Sequence, residues 1–365
     1  MRAAGNNLVS VLLTCVIALA TLGSAAQDVE YPQVLPGYAI ELPRDEGSHP
    51  QFRTEWWYLT GWLEDEAGRS LGFQVTFFRH RPGGNEDNPS RFAAKQLLFA
   101  HASFSDPANG KLLRAEKIAR AGFGLAEARA GALDVHIDDW SLRRMPNEPR
   151  LTTAISADEF ELELEFEVTQ PALLHGRDGY SQKTPVAAAA SYYYSLPQLR
   201  ASGHIAVRGK TYRVTGSAWL DHEWFGDFLD ETTQGWDWIG LNLDDRSVVM
   251  ASRIRDARDE KYWAFATVRD AQGATRMFAP QEVDWEPGRR WRSPRTGREY
   301  PVEWRVRIGE RTLRVRPLFD DQENDARGST GTIYWEGAVR VFDAEERQIG
   351  KGYLELTGYG ERIRF

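Results

Sequence analysis

Cysteine is almost absent: the chain of 365 residues has one, Cys15, and only four methionines. Cys15 lies in an apolar run from Leu8 to Leu22, preceded by Arg2 and followed by the small residues Ser24 to Ala26. That order predicts an export signal over residues 1–26, removed to leave a periplasmic or secreted protein. Thr14 is a poor residue before a lipidated cysteine, so attachment to a membrane is expected only if Cys15 is nevertheless modified. Behind the leader no thiol remains, which excludes disulfides, thiolate metal sites and a cysteine nucleophile. No later apolar run is long enough to span a bilayer. A cationic excess is missing too: 45 Lys and Arg against 53 Asp and Glu give a formal charge of −8, where nucleic-acid binding requires clustered cations. Neither H-E-x-x-H nor G-x-S-x-G occurs, so a zinc protease and a serine nucleophile elbow are unsupported. No cofactor motif is found. Long helical periodicity is also lacking, apart from an Ala-rich stretch near Ala119 to Ala130 that reads as a short helix.

Aromatic residues and alternation are abundant. Thirteen Trp, 13 Tyr and 17 Phe predict rigid aromatic packing or an aromatic-lined cavity. In "DEFELELEFEVTQ" Phe160, Leu162, Leu164, Phe166 and Val168 alternate with five glutamates, the pattern of an antiparallel strand with one wet face. "SLGFQVTFFRHR", "KQLLFAHASFSD" and "VEWRVRIGERTLRVRPLF" are of the same kind, with turn signals between them. The fold class is all-β.

The chain also resembles itself. "WWYLTGWLED" from Trp56 matches "WDWIGLNLDD" from Trp236, and "GHIAVRGKTYRVTGSAWLD" from Gly203 matches "GAVRVFDAEERQIGKGYLE" from Gly337, placing Asp221 on Glu355. Both pairs occur in the same order, so two related β-domains are expected in tandem, over residues 27–226 and 227–365. The first copy is longer by about 46 residues, including "ARAGFGLAEARAG" and "LLHGRDGYSQKTPVAAAASYYY". Insertions of that kind are where function tends to sit.

All seven histidines fall in the first copy or its lead-in. In "RVTGSAWLDHEWF" alternation puts Val214, Gly216, Ala218, Leu220, His222 and Trp224 on one face, and Trp219, Asp221 and Glu223 on the other. "TEWWYLTG" likewise separates Glu55 and Trp57 from Trp56 and Tyr58. If the first and last strands of a barrel pair on closure, Glu55 to Tyr58 become neighbours of Asp221 to Trp224, and a polar cluster of Glu55, Asp221, His222 and His101 is expected inside an aromatic wall. The plainer reading of the same groups is that they hydrogen-bond loop backbone where the barrel closes and the linker leaves. A metal is not expected, since His222 and Glu223 point to opposite faces and no second His stands at ligand spacing. Tyr193 in "SYYYSLPQL" could face a cavity or merely cover a core. The acidic "LFDDQEND", Leu318 to Asp325, reads as a solvated loop without the spacing of a calcium loop.

Together, "EWWYLTG", "FAHASFSD", "SYYYSLPQL" and "GSAWLDHEWFGDF" resemble the lipocalin-like AttH and CrtC (carotenoid 1,2-hydratase) family, over roughly Tyr38 to the C-terminus. The resemblance implies two lipocalin-type barrels packed together, with a hydrophobic small molecule in or between them. It further implies either water addition to an isoprenoid double bond, or a non-catalytic carrier or accessory of an ABC transporter; other members are described only as predicted secreted hydrolases. By motif, His222 and Trp224 match the hydratase "DHxW" segment. Asp221, His222 and Asp237 are thereby candidate catalytic groups. Glu55, Trp57, Tyr58, His101, Tyr193, Trp224, Trp236 and Trp238 are candidate ligand contacts. The Tyr and Asp that the hydratase pattern carries further downstream are missing from "RSVVMASRI".

Overall fold

The computed structural model describes residues 29–84 and 86–363; the expected leader, with Cys15, lies outside them. Among the described residues there is no α-helix, and the strands form sheets of 13, 10 and two strands. The larger sheets are lipocalin-like antiparallel barrels in tandem. The first runs from Thr54–Asp65 to Lys210–Phe225 and the second from Thr233–Leu243 to Gln348–Leu356. Among the described residues no helix is long and apolar enough to cross a membrane.

Each barrel joins its opening strand to its closing strand. Tyr58 stands opposite Asp221 in the first, and Trp238 opposite Glu355 in the second. These are the pairs that the repeated motifs equate, so the internal resemblance holds to the residue at both seams. It fails one strand earlier. Gly337 lies opposite Leu354, whereas Gly203 lies opposite Val214 and Leu196 takes the position opposite Leu220. An ungapped alignment could not follow a hairpin that turns at Arg208 and Gly209 in one barrel and over residues 343–347 in the other.

The Ala-rich stretch near Ala119 to Ala130 is not helical. It contains the end of strand Leu113–Arg120, a turn, and strand Ala126–Ala128, because Gly122 and Gly124 adopt positive φ there and break the run. The acidic run is likewise not a solvated loop: Gln322, Glu323 and Asn324 are buried, and Glu323 accepts hydrogen bonds from Ser293, Thr296 and Tyr300.

Both barrel interiors are filled. Phe73, Phe77, Phe166, Leu162 and Leu164 belong to the first core, and Trp304, Val306, Val339 and Leu354 to the second. A third apolar cluster lies where the barrels meet, with Tyr58, Trp62, Trp219, Trp238, Met250 and Tyr353. Contact there is close: a Cβ on Gly72 would come within 2.7 Å of the Ala338 methyl.

Candidate ligand site between the barrels

The closing pair sorts the expected site residues onto two faces. Trp57 lies opposite His222, Glu55 opposite Trp224, and Tyr58 opposite Asp221, and directly opposed residues share a face of the sheet. Glu55, Trp57, His222 and Trp224 therefore turn into the first barrel, while Trp56, Tyr58, Asp221 and Glu223 turn towards the second.

The inward set is a packed ionic network. Glu55 is fully buried; its Oε1 lies 2.9 Å from His222 Nε2 and 2.7 Å from His49 Nδ1, and Arg79 Nε donates to Oε2 at 2.9 Å. His49 stacks on Trp224 at 3.9 Å and His222 on Trp57 at 4.8 Å between ring centres. Burial opposes ionisation of Glu55, but the hydrogen bonds from His222 and His49 and the charge of Arg79 outweigh it and hold the carboxyl well below its usual range. Sequence spacing showed no second histidine, yet the chain before the barrel brings His49 in. The donor atoms of His49, Glu55 and His222 lie within 4.8 Å of one another. Both rings nevertheless address the same Glu55 oxygen, and Arg79 already balances its charge, so the set is complete as an ion-pair network.

The expected cluster of Glu55, Asp221, His222 and His101 is thus not formed: alternation divides it between two compartments. Asp237 is a second correction. It points into the second barrel, where Arg253 Nη2 lies at 2.7 Å, Arg255 Nε at 3.2 Å, and Tyr359 donates at 2.8 Å.

The outward set lines a cavity of about 280 Å³ between the barrels. Tyr58, His101, Tyr193, Asp221, Trp236 and Trp238 reach it; Glu55, Trp57, His222, Trp224 and Asp237 do not. Tyr193 donates to Asp221 Oδ2 at 2.6 Å, and Trp219 Nε1 donates to Oδ1 at 2.6 Å, as does the Ser195 hydroxyl. Trp238 Nε1 in turn donates to the Tyr193 hydroxyl at 3.0 Å, linking the barrels. Burial pushes Asp221 up to about 7 against these donors, helped by the charge of Glu223. His101 bridges the barrels too, with Nδ1 2.8 Å from the Tyr334 hydroxyl and Nε2 2.9 Å from Ser329 Oγ; burial pushes it down to about 3, so it is neutral.

Four ionisable groups of the cavity, Lys183, Glu223, Glu336 and Glu355, were not among the expected site residues. Glu223 pairs with Lys183 Nζ at 2.5 Å, and burial lowers the pKa of that lysine. Glu336 and Glu355 stand directly opposite each other on Thr332–Phe342 and Gln348–Leu356. Burial raises both: Glu355 to about 7, and Glu336 well above the carboxylate range with the charge of Glu355 as the second cause. Two signals pointed this way. The internal repeat placed Glu355 on Asp221, and Lys183 lies in the longer of the two insertions.

A family model described as AttH-like matches residues 33–359. A crystal structure of an AttH-type protein from Nitrosomonas europaea is 49% identical, with a TM-score of 0.84, over 90% of this chain and 99% of that one. Kievitone hydratase from Nectria haematococca superposes with a TM-score of 0.68 at 16% identity, over 92% of this chain and 97% of its own. CghA bound to Sch210972 does so with a TM-score of 0.53 at 14% identity, over 91% and 97%. The last two show the fold alone. No curated protein sequence matches.

Proposed function

The chain belongs to the AttH-like family, and from that premise we propose that it holds an apolar, isoprenoid- or lipid-like molecule between its barrels and adds water across one of its double bonds. The observation that carries this reading is Asp221: a carboxyl held by burial up to about 7, in a cavity walled by Trp56, Tyr58, Trp236 and Trp238. At neutral pH a large fraction keeps its proton, as a general acid for an alkene requires. In the reaction the Asp221 proton passes to one alkene carbon and leaves a cation on the other. Aromatic faces stabilise that cation, water adds to it, and the proton then lost from oxygen restores the carboxyl. The reading keeps the expected export to the periplasm or medium.

Native mass spectrometry of protein purified from its host would identify the bound molecule. Incubated with that molecule in ¹⁸O-labelled water, the wild type should form a labelled alcohol. Asp221→Asn should lose roughly two or more orders of magnitude in rate. An apolar passenger left unaltered by the wild type would make the protein a carrier, with a transport system as its partner.

A further inference from the structure

Among the described residues no cation pairs with Glu336. Both of its oxygens are buried with no well-aligned donor, the Tyr58 and Tyr334 hydroxyls standing beside them, and Tyr58, Glu336 and Glu355 all line the cavity. The Tyr334 hydroxyl stands near Glu336 but is already engaged by Asn324 Nδ2 at 2.9 Å and by His101. Glu355 has one donor, Trp236 Nε1, at 3.2 Å. This contrasts with Asp221, its equivalent in the repeat, whose two oxygens take three donors.

An unpaired buried carboxyl is costly in a purely structural role, and two opposed carboxyls cannot both ionise cheaply across adjacent strands. The pair therefore places a carboxylic O–H and unused oxygen lone pairs in the cavity wall. We infer that Glu336 and Glu355 anchor a neutral oxygen group, a hydroxyl or carbonyl, on an otherwise apolar ligand. A hydroxyl donates to one carboxyl oxygen and accepts from the O–H of the pair; a carbonyl only accepts. Tyr58, whose hydroxyl stands beside Glu336, is the neighbouring donor. The inference rests on the cavity being the ligand site and specifies what its ligand must carry.

The test uses three probes of one size on the full chain: geraniol, geranylamine and the hydrocarbon myrcene, followed by quenching of tryptophan fluorescence near pH 7. Geraniol should bind about tenfold more tightly than myrcene, the worth of one buried hydrogen bond. Glu336→Leu should abolish that preference while keeping or improving myrcene binding. Glu336→Gln, which retains the shape along with a donor and an acceptor, should keep part of it and serves if the leucine variant does not fold. An alcohol preference that survives in Glu336→Leu and Glu355→Leu would overturn the inference. So would tighter binding of the amine than of the alcohol, since the pair would then be a cation site. Binding of all three with equal affinity sinks the anchor but leaves the cavity as the ligand site; binding of none removes both.

Discussion

Replacing Asp221 with asparagine should change the pH dependence of stability in a calculable way. The carboxyl lies at 3.8 in its unperturbed state and about 7 in the folded protein. Because the folded value is raised, the folded state binds the proton more tightly than the unfolded chain. The resulting stabilisation is full below about pH 3.8 and is lost as pH rises through about 7. At roughly 1.36 kcal/mol per pKa unit, the wild type should lose about 2.5 kcal/mol between about pH 5 and about pH 8 through this group alone. Asparagine does not titrate. The stability difference between variant and wild type should therefore move by about 2.5 kcal/mol in favour of the variant over that interval. Loss of the Asp221 charge also relieves Glu355, whose carboxyl it helps to raise, and this acts in the same direction. Urea denaturation of both proteins at the two pH values measures it. A difference independent of pH, or one that moves in favour of the wild type as pH rises, would refute the assignment of a raised pKa to Asp221.

Breaking the inward network should cost stability and leave the cavity intact. Glu55→Gln or His222→Ala strands buried partners, at about 3–5 kcal/mol by urea denaturation, yet the folded fraction should bind geraniol as the wild type does. Loss of binding in a folded variant would return these residues to the ligand site. The barrels should also unfold together. Calorimetry should show one transition, and a fragment ending at Phe228 should aggregate, because Tyr58, Trp62 and Trp219 lose the cover of Trp238, Met250 and Tyr353. Two separated transitions would show that the barrels are independent.

Much of this arrangement was legible because strands obey a period of two. Alternation separated Glu55 and Trp57 from Trp56 and Tyr58, and His222 and Trp224 from Asp221 and Glu223; barrel closure then paired the correct segments. The error lay in gathering residues of both faces, Glu55 and His222 with Asp221 and His101, into one cluster. A strand read alone implies that its inner face holds the site and its outer face meets water. The outer face here is closed by a second barrel, and no local pattern announces that. Asp237 misled for a related reason: it follows Trp236, which reaches the cavity, so its own side chain turns the other way, to Arg253 and Arg255. Tyr193 was left between two roles because its neighbours Tyr192 and Tyr194 do cover the core.

Duplication also accounts for the unlike acids of one cavity. When two related barrels meet through their seams, equivalent positions converge, and Asp221 and Glu355 come to line the same space. Burial raises each to about 7, so the difference between them is set by their neighbours. Ser195, Tyr193 and Trp219 saturate Asp221 and fix its orientation. The inserted segment adds His175, whose Nε2 lies 2.6 Å from Ser195 Oγ, and Lys183, which neutralises Glu223 beside it. The second barrel has no such insertion, and Glu355 faces Glu336 where Asp221 faces Ser195. One carboxyl is consequently held in a fixed orientation, as the proposed proton transfer requires, while the opposed pair keeps the unused hydrogen-bonding capacity that the inferred anchor draws on. Transplanting the roles would require moving these surrounding donors, since the carboxyls themselves already occupy equivalent places.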